Sequence, residues 1–335
     1  MLKKGRIEFF TLTSAALQGN RLSDPATREV AVYLPNEYEH QSQKRYGVIY
    51  LLASHGRTNY YYTGWNQWEE RIQERLDRLI SDGVMPPTIV VLPDCWTRLG
   101  GSQYLDSPIG AYRTYLIDEI IPAVDAQYRT IAERDGRAVC GHSSGGYGAI
   151  TLAMTRADIF SAVGARAPDM YWEYSIMPLL AQLPQQLEKW GGFEAFIEAV
   201  PTIHPKRADF WAAVHTVMQC MIYGANPDNP LGFDSPIDLE TGALLPEVWA
   251  RWLTFDPVRM IDLPQNQEAL RSMKKIFLEV GQFDEYHLQT GARIFHRKLA
   301  ELNVEHDYEE FPDGHGGTSY RFDVMLPRLA NAIAG

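Results

Sequence analysis

Two continuous apolar runs in the first third of the chain constrain its fold more than any other feature. Residues 46–52 read YGVIYLL and residues 88–92 read TIVVL. A strand without alternation of polar and apolar side chains is typical of a sheet covered on both faces. Segments with helical spacing separate these runs from further short strands, and such alternation predicts a mostly parallel sheet with helices on both faces.

The remaining segments continue this pattern on both sides of one irregular stretch. The sequence predicts further strands at residues 28–34, 137–140, 161–165, 275–280 and 305–311, and helices at 68–80, 112–128, 145–155, 285–302 and 317–334. Pro122 predicts a kink or a break within the second of these helices, because proline has no N–H to donate to the preceding turn.

The regular alternation stops between residues 171 and 262. This stretch is helical and irregular in pattern, and it holds five of the eight tryptophans. No internal repeat or flexible linker separates it from its surroundings. We therefore predict one sheet-containing core formed by residues 1–170 and 263–335, with residues 171–262 inserted as a helical cap.

A glycine-rich turn stands where the strand at 137–140 meets the next helix. Residues 139–150 read VCGHSSGGYGAI, and the segment from Gly141 to Gly145 fits the pattern Gly-x-Ser-x-Gly. In this pattern a serine sits on a tight strand-to-helix turn, and the amides of the new helix point at a developing oxyanion. The turn therefore predicts a nucleophilic serine in an α/β-hydrolase fold.

Two adjacent serines compete for this role. Ser143 is flanked two residues away by Gly141 and Gly145, whereas Ser144 would place His142 at the tight position. We therefore assign the nucleophile to Ser143 and an oxyanion-binding backbone N–H to Ser144. A turn that holds a phosphate is the alternative, but the Lys-Ser/Thr pair of a phosphate-binding loop does not follow these glycines.

A base and an acid should follow the serine in the chain, the acid first. His315 lies in the loop FPDGHGG between the last strand and the last helix, where neighbouring glycines let the loop present an imidazole. The other downstream histidines fall within predicted helices, a strand or the insertion, where we interpret them as surface or packing residues: His204, His215, His287, His296 and His306.

The acid is expected at the carboxyl end of the preceding strand, where α/β sheets place catalytic groups. Asp284 occupies that place in the segment GQFDE, and its role would be to orient His315 and to stabilise the imidazolium. Glu285 and Asp313 are the alternative acids, and Asp313 lies very near His315 in sequence. A helix N-cap is the non-catalytic alternative for Asp284.

The loop after the first buried strand should supply a second oxyanion donor. It reads Ser-His-Gly-Arg-Thr at residues 54–58, and the sequence leaves the choice between the N–H groups of Gly56 and Arg57 open. His55 receives no catalytic role. Four aromatic residues near these loops or in the insertion are candidates for substrate contact, with core packing as the alternative for each: Tyr61, Trp65, Trp96 and Trp172.

Together these segments resemble the esterase D-like family of esterases, which includes S-formylglutathione hydrolases, enterochelin esterases, feruloyl esterases and mycolyltransferases. The resemblance covers most of the chain outside the insertion. It rests on VYLP at 32–35, YGVIYLLASHG at 46–56, VVLPD at 90–94, GHSSGGYGA at 141–149, FDPV at 255–258, VGQFD at 280–284 and GHG at 314–316. The resemblance implies a triad of Ser143, Asp284 and His315. Ser144 departs from the bulkier residue that the family more often carries there.

Composition and charge limit the partners that we expect. The formal net charge of −11 argues against nucleic acid and anionic membrane surfaces, and no run of 18 apolar residues predicts a membrane span. The cysteines are widely spaced at Cys95, Cys140 and Cys220, which favours a reducing, cytoplasmic location. Residues 1–6 are basic but lack the apolar segment of a secretory signal. We expect no cofactor and no metal site.

The sequence therefore predicts a serine hydrolase that cleaves a carboxylic ester or thioester of a small molecule through an acyl-enzyme. Transfer of the acyl group to an alcohol or a sugar uses the same three residues and is the alternative within the same fold. A non-catalytic binding protein built on a hydrolase fold is the alternative of a different class. The oligomeric state is left open, a homodimer included.

Overall fold

An eight-stranded sheet forms the centre of the molecule. The computed structural model describes residues 4–334, so that Met1–Lys3, which begin the basic N-terminal segment, and Gly335 lie outside it. The strands are β1 Arg6–Thr13, β2 Thr27–Leu34, β3 Val48–Leu52, β4 Ile89–Leu92, β5 Arg137–His142, β6 Ala162–Arg166, β7 Lys275–Gly281 and β8 Asp307–Phe311.

The strand order is β1-β2-β4-β3-β5-β6-β7-β8. Strands β1, β2 and β4 pair antiparallel, whereas β4, β3 and the strands from β5 to β8 pair parallel. Two apolar clusters cover opposite faces of the sheet, because alternate residues of each strand belong to different clusters. The prediction of a mostly parallel sheet in an α/β-hydrolase fold is confirmed.

Helices surround this sheet. They are α1 Glu37–His40, α2 Asn59–Thr63, α3 Ile72–Ser81, α4 Tyr112–Thr114, α5 Ile121–Gln127, α6 Ser144–Thr155, α7 Trp172–Ser175, α8 Met177–Leu180, α9 Leu183–Trp190, α10 Phe193–Ala199, α11 Ala208–Tyr223, α12 Pro246–Leu253, α13 Pro257–Met260, α14 Pro264–Arg271, α15 Leu288–Glu301 and α16 Phe322–Ile333. Short 3-10 turns occur at Arg134–Gly136 and Ser319–Arg321, and a two-stranded ribbon pairs Asp106–Ser107 with Gly110–Ala111. Among the residues described, no helix is both long enough and apolar enough to cross a membrane.

The chain between β6 and β7 contributes helices α7 to α14 and adds no strand to the described sheet. Most of these helices share an apolar cluster that includes the fully buried Trp172, Phe196 and Trp252 and extends to residues outside the insertion such as Leu99 and Tyr147. The last two helices differ, because Val258 and Leu270 belong to the cluster on one face of the sheet. The division into a core and a cap at residues 171 and 262 stays a prediction.

The N-terminal strand β1 was not anticipated from the sequence. It forms an edge strand along β2, and its burial pattern alternates between half-buried and exposed residues towards its end. The segment RIEFFTLT carries charged and hydroxyl residues among its apolar ones, which hides the period of two that marks a strand. The edge position explains this composition, because an edge strand leaves one side open to solvent.

The predicted break at Pro122 is replaced by a wider helical turn. Helix α4 continues through a π-helical stretch at Tyr115–Ile120 directly into α5. At the junction Ile121 donates its N–H to the carbonyl of Leu116, five residues earlier. Pro122 follows in the first turn of α5, so the segment stays helical although the proline lacks a donor.

We expect Trp252→Ala to test how strongly the insertion cluster holds the fold. Trp252 is fully buried and packs beside Tyr223 and Trp249, so its removal should lower the free energy of unfolding by about 3–5 kcal/mol. Urea denaturation measures this loss. The matched control is Trp68→Ala, because Trp68 is 85% exposed and should change stability by less than about 0.5 kcal/mol. Equal losses in both variants would contradict the packing described here.

Candidate active site

Ser143 lies at the tip of the turn between β5 and α6. Its backbone adopts φ +58° and ψ −124°, a conformation that a residue with a side chain rarely takes. The turn is tight on both sides. A Cβ on Gly141 would lie 2.4 Å from the carbonyl carbon of Gly145, and one on Gly145 would lie 2.2 Å from the carbonyl oxygen of Leu52. Both glycines are therefore required by the close approach of backbone segments.

The structure brings three side chains from distant parts of the chain into one line of hydrogen bonds. Nε2 of His315 lies 3.0 Å from Oγ of Ser143, and Nδ1 of His315 lies 2.7 Å from Oδ2 of Asp284. Because a carboxylate only accepts, Nδ1–H donates to Asp284, and Nε2 is left to accept the proton of the Ser143 hydroxyl. Asp284 is 2% exposed, which shields this pairing from water.

The two alternative acids have other partners. Oε2 of Glu285 accepts the backbone N–H of His315 at 2.8 Å, and this hydrogen bond lowers the pKa of Glu285. Asp313 accepts the hydroxyl of Tyr320. Oδ1 of Asp284 accepts the N–H of Tyr286 at 3.0 Å within the turn before α15, whose N-cap residue is His287. Asp284 therefore does not cap α15, and its Oδ2 contacts His315.

The competing histidines are placed differently from His315. His296 and His306 contact each other, with Nδ1 and Nε2 2.7 Å apart, and His287 precedes the first turn of α15. His215 does line the cavity described below, on α11, where its ring lies beside that of His55.

Ser144 begins α6, and its backbone N–H has no hydrogen-bond acceptor among residues 4–334. Its hydroxyl is buried and donates to the side-chain carbonyl of Gln103, which separates it from the chemistry expected at Ser143. The backbone N–H of Ser144 is therefore free to donate, as the sequence predicts, whereas its side chain is buried and hydrogen-bonded to Gln103.

The predicted second donor has to be corrected. The N–H of Gly56 donates to the carbonyl of Gly100 at 2.7 Å, and that of Arg57 donates to the carbonyl of Ser54 at 3.0 Å. An oxyanion would have to displace these carbonyls. The N–H of His55, one residue earlier, has no acceptor in the described part of the chain, and His55 lines the cavity. His55 is therefore the better candidate, which the glycine in this loop did not indicate.

A cavity of about 830 Å³ opens above Ser143 and His315. One wall comes from the insertion and includes Ile176 and Leu179, together with one face of α11, where residues recur at helical spacing. That face consists of Ala208, Trp211, Ala212 and His215. The opposite wall comes from α2, the end of β6 and the start of α16, with Tyr62, Arg166 and Phe322. Elements from several separate parts of the chain therefore enclose the serine.

Of the four aromatic candidates for substrate contact, Tyr61 lines this cavity, and the guanidinium of Arg57 lies 3.8 Å from the centre of its ring. The other three do not line it and are corrected here. Trp172 is fully buried against Tyr223 in the insertion cluster, because its large apolar surface serves the packing of α7. Trp65 is 76% exposed.

Trp96 is the third corrected candidate. It is half-buried, and its backbone is fixed by the Asp94 side chain and the Tyr112 hydroxyl. Two residues missed by sequence reasoning, Trp211 and Tyr286, do line the cavity, and the ring of Tyr286 packs 4.8 Å from that of His315. The helical spacing of residues 208, 211, 212 and 215 is the signal that could have identified the α11 wall.

The cavity contains histidines that burial keeps neutral. Burial lowers the pKa of His55 to about 3 and that of His215 to about 4, and it also lowers the pKa of His142 strongly. The ring of His142 packs 4.5 Å from that of His315, and its Nδ1 lies 3.0 Å from Oγ of Ser54. Neighbouring imidazoles thus add no positive charge beside the base at neutral pH.

Among residues 4–334, no group of three or more His, Cys, Asp or Glu side chains is arranged to hold a metal ion.

The acid that lies deepest in the cavity is Asp169, whose Oδ2 accepts the side-chain N–H of Gln103 at 3.0 Å. Burial raises the pKa of Asp169. Its hydrogen bond links it to the same glutamine that accepts the Ser144 hydroxyl, so that these polar groups hold one another in place.

Comparison with known proteins agrees with this geometry. A family model described as "Putative esterase" matches residues 23–328. Esterase Rv1288 of Mycobacterium tuberculosis is 27% identical over 327 residues, covering 91% of this chain and 57% of that protein. The chain thus spans a little more than half the length of this curated relative.

Solved structures show the same fold. A ferulic acid esterase is 22% identical with a TM-score of 0.64, and the match covers 99% of each chain. An S-formylglutathione hydrolase from Agrobacterium tumefaciens is 16% identical with a TM-score of 0.59, over 100% of this chain and 98% of the other.

The sheet order and the strand–serine–helix turn define an α/β-hydrolase. The chain belongs to the "Putative esterase" family, and the resemblance inferred from the sequence is confirmed.

The lowered pKa of His215 predicts a loss of stability in acid. Its pKa is lower in the folded state than the ordinary 6.5, so the unfolded chain binds the proton first and stability falls as the pH drops from about 6.5 to about 4. His215→Gln should make the free energy of unfolding fall less steeply with decreasing pH, by at most about 1.4 kcal/mol per pH unit. Urea denaturation at pH 6.5, 5.5 and 4.5 measures the slope, and an unchanged slope would contradict the assignment.

Proposed function

We propose that this protein hydrolyses a carboxylic ester of a small molecule through an acyl-enzyme on Ser143. The observation that carries the proposal is the continuous line of hydrogen bonds from Ser143 through His315 to the buried Asp284. A serine hydroxyl is a weak nucleophile without a base, and a base held in one tautomer by a carboxylate supplies what it lacks. Family membership supports the same reaction.

In the first step Oγ of Ser143 attacks the carbonyl carbon of the ester while Nε2 of His315 takes the hydroxyl proton. Asp284 holds the ring and stabilises the imidazolium. The imidazolium then returns the proton to the leaving alkoxide, and the acyl group stays on Ser143. Water activated by His315 releases the acid in the second step and restores the serine.

The oxyanion of each tetrahedral intermediate would be held by the backbone N–H groups of Ser144 and His55. Neither donor has a partner in the described chain, and Ser144 stands at the N-terminus of the twelve-residue helix α6. Unpaired amides that are fixed before the reaction bind a developing charge without reorganisation. The strained backbone at Ser143 fits this role, because it directs the hydroxyl and the next amide to one place.

The predicted cap at residues 171–262 would shape the substrate pocket. Its apolar side chains at the cavity are Ile176, Leu179 and Trp211, which lie opposite the polar turn that carries Ser143. A cavity of about 830 Å³ lies in the range of sites that enclose a drug-sized ligand. We therefore propose an ester considerably larger than an acetate as the natural substrate.

The remaining proposals concern the surroundings of the enzyme. Cys95, Cys140 and Cys220 are free and buried, which supports a reducing, cytoplasmic environment. Every residue of the proposed site comes from a single chain, so the chemistry does not require a second copy.

Replacement of the nucleophile provides the direct test. Ser143→Ala should lower the turnover of p-nitrophenyl butyrate by roughly 10⁴-fold or more, because no other hydroxyl occupies the contact with His315. The same variant should lose labelling by a fluorophosphonate probe. Ser144→Ala is the discriminating control, since it keeps the backbone N–H and should still be labelled at residue 143.

Peptide mass spectrometry locates the label. A wild-type protein that is neither labelled nor active would favour the binding-protein alternative, and wild-type-like activity in Ser143→Ala would refute the proposed nucleophile. Addition of glycerol to the assay separates hydrolysis from acyl transfer. The proposal requires the free acid to remain the main product at a moderate glycerol concentration, whereas a dominant glyceryl ester would identify a transferase.

A further inference from the structure

The buried Arg166 has no role in the chemistry described above. It ends β6 beside the catalytic turn, and its backbone carbonyl accepts the N–H of Ser143 at 2.9 Å. Its side chain lines the active-site cavity. The residue is 2% exposed, and its guanidinium lies 4.2 Å from the centre of the Phe322 ring. The guanidinium of Arg166 therefore lies inside the cavity wall, between the turn at Ser143 and the start of α16.

This guanidinium makes no hydrogen bond and no ion pair with residues 4–334. Its Nε and Nη1 are buried without any partner in the described chain. An arginine carries five N–H donors and stays charged under all ordinary conditions, so an unpaired buried guanidinium is costly. Burial accordingly lowers the pKa of Arg166. Such a group is stable in a protein when an anion completes its contacts.

The acid nearest to Arg166 along the sheet is already engaged. Glu279 stands opposite Arg166 on β7, but the two side chains form no ion pair. Oε2 of Glu279 instead accepts Nε of Arg321 at 2.8 Å. Glu279 therefore bonds directly to Arg321 and stabilises the charge of Arg166 only through space, so that Nε and Nη1 of Arg166 stay without a hydrogen-bond partner among residues 4–334.

The acids that line the cavity also have partners elsewhere. Glu69 accepts the hydroxyl of Tyr61 at 3.2 Å, Asp169 accepts from Gln103, and Asp209 pairs with Lys189.

A second cation reaches the same part of the cavity. Arg57 is exposed at the cavity wall, stacks on Tyr61 and makes no side-chain hydrogen bond with the described residues. Both guanidinium groups act on the same neighbour, because each contributes to lowering the pKa of His142. Arg57 and Arg166 thus form a positive region on the wall opposite the insertion, within the cavity that contains Ser143.

Resting on the proposed ester hydrolysis, we propose that Arg166, assisted by Arg57, binds a carboxylate or phosphate group carried by the ester substrate. The planar guanidinium can donate two parallel hydrogen bonds to either anion. The substrate class is therefore an anionic ester rather than a neutral one. The Phe322 ring covers one face of the guanidinium.

Matched pairs of neutral and anionic esters test this inference on the intact protein. Mono-p-nitrophenyl glutarate against p-nitrophenyl butyrate places a carboxylate in the acyl half. In the alcohol half, 4-acetoxybenzoate is compared with its methyl ester, and 4-acetoxyphenyl phosphate tests a phosphate. The wild-type protein should prefer the anionic member of at least one pair in kcat/KM, and the pair that shows the preference identifies the anion and the half that carries it.

Arg166→Gln should lower kcat/KM for the preferred anionic ester on the order of 10- to 100-fold, as expected for a lost charge-assisted contact. The neutral partner should change less than about threefold. Arg166→Lys should lie between the two, because it keeps the charge and loses the planar pair of donors. Arg156→Gln is the control for net charge, since Arg156 pairs with Asp158 away from the cavity and should leave both esters unaffected.

Equal losses for neutral and anionic esters in Arg166→Gln would assign Arg166 a structural role and overturn the inference. Absence of any anionic preference in the wild-type protein would overturn it as well. Continued hydrolysis of neutral esters and labelling of Ser143 would show that ester hydrolysis itself stands. If Arg166→Gln does not fold, inhibition of neutral ester hydrolysis by glutarate or inorganic phosphate decides the matter. Competitive inhibition that weakens in Arg166→Lys supports the site, and no inhibition of the wild-type protein by either ion refutes it.

Discussion

The close approach of backbone at the turn from β5 into α6 is the constraint on which the rest of the site depends. Gly141 contacts the backbone of Gly145, and Gly145 contacts the carbonyl of Leu52 on the neighbouring strand, so that no side chain fits at either position. This packing holds Ser143 in its strained conformation and sets the direction of α6. A serine on a relaxed turn would not lie where the amides of α6, the ring of His315 and the loop after β3 all meet.

Much of this arrangement could be predicted because it depends on local chemistry. The apolar runs that became β3 and β4 exclude an exposed strand, and the glycines around Ser143 exclude most other turns. The order of serine, acid and base then left few residues at the ends of late strands. Asp284 and His315 were predicted for this reason, and the structure brings them into contact with each other and with the serine. Their catalytic roles await the substitutions described above.

Other features could not be predicted because they depend on partners that are distant in sequence. From the sequence, the N–H of Gly56 is a suitable oxyanion donor. In the structure this N–H donates to the carbonyl of Gly100, a contact that the loop sequence does not encode. Trp172 has the large aromatic side chain that is typical of a pocket wall, yet the fold buries it against Tyr223 on α11. Whether an aromatic side chain lines a cavity or fills a core depends on helix packing, which the pattern of one segment leaves undetermined.

Different charged groups around the turn at Ser143 serve the proposed catalysis and the proposed recognition of the substrate. The imidazoles beside His315 are kept neutral by burial, and the carboxylate of Asp284 contacts Nδ1 of His315. Arg166 lies beside the catalytic turn, where its guanidinium stacks on Phe322, and Oε2 of the neighbouring Glu279 accepts from Arg321. A buried guanidinium without a hydrogen-bond partner is costly to the free protein, and a bound anion would recover part of that cost as affinity.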